Sequence, residues 1–315
     1  MNCPGGFALV VCALLLSCLP ARGDYRSLAT IDHGNQRIVL GVPEEDVAKF
    51  LRIIIDEGRY GFEDLDVYAD PGGEPLYNFV MGAPNNHWWV AHRLHPDIYP
   101  DFLAEREREG YVVLSSEPFL FEGRMHFAAL LSKKQPRKQL RFIATVPREG
   151  EVSFRRDYGM DESALRAPRR PNGIEGNAPA DLPSGYTLRS LRTLPGGLAS
   201  YVSLVYEKDD PNTLNFDREM IVGRSLSSLQ SIVRSNAEKR FAIVDFHATL
   251  GASFPTREEY SAIFAYTAGA SGPLIAQPLQ GVAAALAGHA GKEIKQISAV
   301  TSPDRGTTFW LRLGP

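Results

Sequence analysis

Cysteine is nearly absent from this chain. The three that occur, Cys3, Cys12 and Cys18, all fall within the first 23 of 315 residues. From Asp24 onward there is no disulfide staple, no thiolate nucleophile and no zinc ribbon, so stability has to come from packing. The length and a 44% hydrophobic composition allow a sizeable core. No N-x-[ST] triplet occurs, so N-glycosylation is not expected. Positive charge is also short: with Arg22 set aside, 33 Lys and Arg meet 37 Asp and Glu. The one basic stretch, "SKKQPRKQLR" at 132–141, reads as a solvated connection, so no nucleic-acid partner is expected. Long apolar runs are missing as well. After Phe7–Leu16 no segment approaches the roughly twenty residues of a spanning helix, and no stable membrane insertion is expected.

Catalytic signatures are missing in the same way. There is no G-x-S-x-G elbow, H-E-x-x-H helix, phosphate loop or G-x-G-x-x-G turn, and no serine has a lysine three residues on. A dispersed triad needs no such signature.

What is present begins with residues 1–23, an apolar run followed by Pro20, Ala21 and Gly23. This is expected to be a cleaved signal peptide, making the protein secreted, extracellular or periplasmic. The alternative takes "LLSC" as a lipobox, with a lipid anchor at Cys18.

Residues 24–315 then read as one domain in which a single order of signals recurs: strand, helix, strand, turn, strand. The units span about 37–83, 87–134, 140–208, 219–268 and 274–315, the third carrying a Pro-, Gly- and Asn-rich insertion at 166–185. In the first, Pro43 opens a helix with Glu44, Glu45 and Asp46 in its first turn; Val47, Phe50, Leu51 and Ile54 form its apolar stripe and Gly58 ends it. In the fourth, Ser227 and Gln230 have capping-box spacing ahead of Leu229, Ile232 and Val233. The expected fold class is α+β: tandem strand-helix-strand-strand repeats forming a curved, mainly antiparallel sheet with the helices on one face.

The second unit carries a Trp-bearing strand with His92 and Leu94, a helix, Gly110–Tyr111, Gly123 and "HFAALL"; the third carries Gly185–Tyr186, Gly196–Gly197 and "YVSLVYEK". This pattern resembles the bacterial tandem repeat domain, found in the amino-terminal region of secreted polyglycine hydrolases. The fourth and fifth units depart from it, with "RF" and "EI" in place of "GY". The resemblance implies a curved sheet backed by helices, with the peptide-bond chemistry in a separate serine beta-lactamase-like domain. That domain needs the Ser-x-x-Lys motif this sequence lacks, so a non-catalytic accessory part is expected.

Candidate site residues follow from the strands. His87, His92, His95 and His126 cluster in the second unit, but alternation puts His87 and His92 on opposite faces; neither a metal nor another cofactor is expected. Asp64, Asp66 and Asp70 alternate with Leu65, Val67 and Ala69 and are expected to face water. With Tyr68 at its third ligand position, this series does not fit a calcium loop. Asp245 and His247 share a strand face, as a cross-strand polar pair or, with a serine from another unit, as a base and its orienter in a peptidase or amidase. Trp89, Arg93, His247 and Trp310, with Arg312, are the candidates for a ligand surface open on the side away from the helices. The alternative is that the rings fill a second buried layer. The expected function is binding of an extracellular peptide, glycan or protein, or a place in a matrix.

Overall fold

The computed structural model describes residues 25–84, 87–133, 139–147, 153–156, 186–196, 199–208, 218–251, 257–267 and 272–314. The expected signal peptide at 1–23, with all three cysteines, and the expected insertion at 166–185 lie outside them.

The described chain is mostly antiparallel sheet with four helices. The first sheet holds β1 (Ala29–His33), β2 (Gln36–Pro43), β3 (Gly61–Ala69) and β4 (Pro75–Gly82) in the order β1-β2-β4-β3, with α1 (Glu44–Glu57) between β2 and β3. The second holds β5 (Trp88–Leu94), β6 (Val112–Phe121) and β7 (Arg124–Ser132) in the order β5-β7-β6, with α2 (Tyr99–Arg108). The third joins β8 (Gln139–Pro147), β9 (Ser153–Arg156), β10 (Tyr186–Gly196) and β11 (Ala199–Lys208) as β10-β11-β8-β9. The fourth orders β12 (Arg218–Arg224), β13 (Phe241–Leu250) and β14 (Glu258–Tyr266) as β12-β14-β13, with α3 (Leu226–Glu238). The fifth orders β15 (Leu274–Pro278), β16 (Ile294–Ser302) and β17 (Gly306–Leu313) as β15-β17-β16, with α4 (Leu279–Ala287). The strands are thus distributed over five sheets and not joined in a single one. Strand β1 precedes the segments marked by the sequence pattern.

Local chemistry places the helices. In α1, Pro43 is the N-cap and Gly58, at φ +60°, donates its N–H to Ile54 O, closing the helix where the sequence breaks. Val47, Phe50, Leu51 and Ile54 are buried. At 1.5–3 kcal/mol each, this stripe contributes roughly 6–12 kcal/mol before chain ordering is counted. It packs against β2, β3 and β4 and also against Val90, Phe119, Ala128 and Leu130 of the second sheet. The helix therefore lies in a core shared by two sheets. The cap of α3 is Ser225, whose Oγ accepts the Ser228 N–H at 3.3 Å, two residues before the expected Ser227.

One irregularity recurs. The register between the two strands of each hairpin slips at Phe62/Asp64, Val113/Ser115, Leu188/Ser190, Ile243/Asp245 and Ile294/Gln296. Such a bulge re-aims the side chains that follow it. As a result Asp64 and Asp66 are buried, Asp66 completely, and the expectation that they face water is overturned.

The strands carrying these bulges, β3, β6, β10, β13 and β16, are each the edge of their own sheet. They meet one another: β3 lies against β6, β6 against β10, β10 against β13, β13 against β16, and β16 against β3. The last junction joins the two ends of the chain. Gln36 makes it with its side chain, donating to Ile294 O at 2.9 Å and accepting the Ile294 N–H at 2.6 Å. Gln139 treats Val113 in the same way, at 2.8 and 2.7 Å. Two seams, one between consecutive segments and one between residues 258 apart, are closed by the same pair of bonds.

Candidate functional site at the junction of five edge strands

An edge strand buried without a partner leaves its amides unsatisfied, a cost of about 1–3 kcal/mol each. Here side chains from the adjoining edge strand take them. Asp64 Oδ2 accepts the Ile297 N–H at 2.8 Å and Asp66 Oδ2 the Ala299 N–H at 3.0 Å. Asp245 Oδ2 accepts Leu191 N–H at 2.6 Å, and His247 Nδ1 accepts Thr193 N–H at 3.2 Å. Gln296 Oε1 accepts Phe246 N–H and Ser298 Oγ accepts Ala248 N–H, both at 2.9 Å. In every case the residue after the bulge, or the one two further on, reaches the backbone of the neighbouring edge strand.

The seams of β6 depart from this rule: towards β3, Ser115 Oγ donates to Leu65 O at 3.0 Å, and towards β10 the reason is local. At the position where an N–H would be offered, β6 carries Pro118, which has none. The residue two beyond the β10 bulge is Arg192, a pure donor. Its guanidinium is buried among carboxylates: Nη1 donates to Asp245 Oδ1 and Oδ2 at 2.9 and 2.8 Å and to Leu191 O at 3.0 Å, Nε donates to Glu117 Oε1, and Asp64 Oδ1 lies 3.7 Å from Nη2. Burial opposes its charge, but Asp245, Glu117 and Asp64 outweigh that and hold its pKa well above the ordinary value. Burial pushes the Asp64 carboxyl up to about 7 against the pull of Arg192. Asp66 and Glu117 are raised as well, Asp66 by burial and then by Glu117. Burial, with Arg192 near, keeps His247 neutral.

Two carboxylate oxygens remain unused. Asp66 Oδ1 and Glu117 Oε2 are buried without a hydrogen-bond partner, although Asp66 Oδ2 takes Asn78 Nδ2 and Ala299 N–H, and Glu117 Oε1 takes Ser115 Oγ and Arg192. His247 Nε2 stands 3.8 Å from Glu117 Oε2.

The residues singled out in the sequence do not assemble into one ligand surface. His247 is in the buried junction. Trp310 is buried between Phe246 and Tyr260, in a core shared by the fourth and fifth sheets, and Arg312 reaches inward to Gln296 Oε1 at 3.2 Å. Arg93 pairs with Glu44 at 3.2 Å and covers the Phe121 ring. Trp89 is 41% exposed on β5; the Arg106 guanidinium lies 4.6 Å over its ring, with Phe102 and Tyr111 beside it and Lys133 over Tyr111. Its neighbour Trp88 turns the other way and packs on Phe62, as strand alternation requires. Of the cross-strand and triad readings of Asp245 and His247, the geometry favours the cross-strand one, since both side chains bond to residues of β10. The two share a face, but Asp245 is held by Arg192, Leu191 and Gln296, while among the described residues His247 hydrogen-bonds to Thr193.

Sequence reasoning missed Glu117 and Arg192. The available signal was a charged residue within the apolar strands "VVLSSEPFLF" and "YTLRSLRTLPG", at the place held by Asp66 and His247 in other hairpins. Compared with known proteins, the chain matches no family model and no curated sequence.

Proposed function

We propose that the protein is a secreted, non-catalytic binding module built from five related units, akin to the bacterial tandem repeat domain, arranged in a closed order. Most of the polar groups at the junction hold neighbouring amides or one another, and no serine stands in hydrogen-bond contact with His247 among the described residues, which supports a binding role over a hydrolytic one. The observation that carries the binding reading is the exposed Trp89 ring with Arg106 over it, next to Tyr111 and Lys133. An exposed aromatic ring beside Lys133 suits a glycan chain or an acidic extracellular peptide, Arg106 itself being already paired with Glu105 and Glu109 at 2.7 Å.

The test is a screen of the purified protein on glycan and acidic-peptide arrays, repeated with Trp89→Ala. Saturable binding weakened at least tenfold by that substitution is expected. Self-association without a saturable ligand would favour the matrix role. Stoichiometric labelling of one serine by a fluorophosphonate would overturn the binding reading in favour of a serine peptidase or amidase.

A further inference from the structure

The junction brings one donor from each of three sheets to the same point: Asp66 of β3, Glu117 of β6 and His247 of β13. One ligand atom from each lies within 4.8 Å of the others. Donors bound to one ion at roughly 2.0–2.4 Å can be no further apart than about 4.8 Å. The Glu117 Oε2 to His247 Nε2 separation of 3.8 Å falls inside that limit. Asp66 Oδ1 and Glu117 Oε2 are fully buried and unpartnered, which is costly unless something positive stands beside them.

We propose that Asp66, Glu117 and His247 bind one divalent cation of the first transition row. One imidazole with two carboxylates is a donor set for manganese, iron or zinc, harder than thiolate sites and softer than the all-oxygen cages of calcium. Coordination through His247 Nε2 places the ring proton on Nδ1, where Thr193 Oγ1 at 2.9 Å accepts it; the 3.2 Å contact from Thr193 N–H is given up. Asn78 and the Ala299 N–H already hold the Asp66 carboxylate through Oδ2, leaving Oδ1 for the ion. Because the three ligands come from three sheets, the ion would tie together segments distant in the chain and be taken up as they close.

The experiment unfolds the purified protein in denaturant and refolds it with EDTA or with manganese, zinc, calcium or magnesium ions. Native mass spectrometry then counts the bound metal and a thermal melt reads its effect. One manganese or zinc ion per chain is expected, with a midpoint several degrees above the EDTA sample. That difference should be absent in Glu117→Gln and in His247→Gln. Wild-type protein that carries no ion from any refolding, with a midpoint equal to the EDTA sample, overturns the proposal. So does uptake that persists in both variants, or uptake of calcium alone. Should a variant fail to refold, cobalt in the wild type decides: visible ligand-field bands of a nitrogen and oxygen site support the assignment, and only the spectrum of aqueous cobalt refutes it.

Discussion

Replacing Arg192 by methionine tests how the junction is held together. The methionine fills much of the same volume but withdraws the donors that reach Asp245, Glu117 and Leu191 O. Three carboxylates that faced one buried cation then face each other. Breaking a buried pair by removing one partner costs about 3–5 kcal/mol, and here one cation serves several anions, so about 4–5 kcal/mol is expected. Against a typical total of roughly 5–15 kcal/mol, such a variant is marginal but measurable. Urea unfolding followed by tryptophan fluorescence gives the value from the shift in midpoint at constant slope. Arg189→Met is the control. That side chain, three residues earlier, pairs with Glu207 at 3.0 Å near the surface, and its loss should cost less than about 1 kcal/mol. Adding Asp245→Asn to Arg192→Met should recover part of the loss, because an uncompensated charge is removed while an oxygen remains for Leu191 N–H. If Arg192→Met is no worse than the control, the guanidinium does not organise the junction.

Other expectations rest on independent features. Gln36→Ala removes both bonds to Ile294 at the seam joining the chain ends, and should cost about 2–3 kcal/mol in urea unfolding. Phe50→Ala leaves a cavity in the core shared by the first two sheets; about 3–5 kcal/mol should be lost in the same assay. Trp89→Ala should change stability by less than about 1 kcal/mol, and acrylamide should quench Trp89 far more readily than Trp310, which single-tryptophan variants can resolve.

The sequence by itself determined what local chemistry controls. Pro43, the acidic first turn and Gly58 bounded α1 because caps, helix dipole and backbone conformation act within a few residues. Alternation separated Trp88 from Trp89 for the same reason. Only the tertiary structure decided the fate of Asp64 and Asp66. Their alternation with Leu65 and Val67 is what a solvent-facing edge would show, and no short-range rule reveals that five edge strands meet. The bulges aim these side chains at amides on another sheet, up to 233 residues away in sequence. Burial of a carboxylate depends on who sits opposite, and the identities of Arg192, Glu117 and His247 as mutual neighbours arise only when the first and last sheets come together.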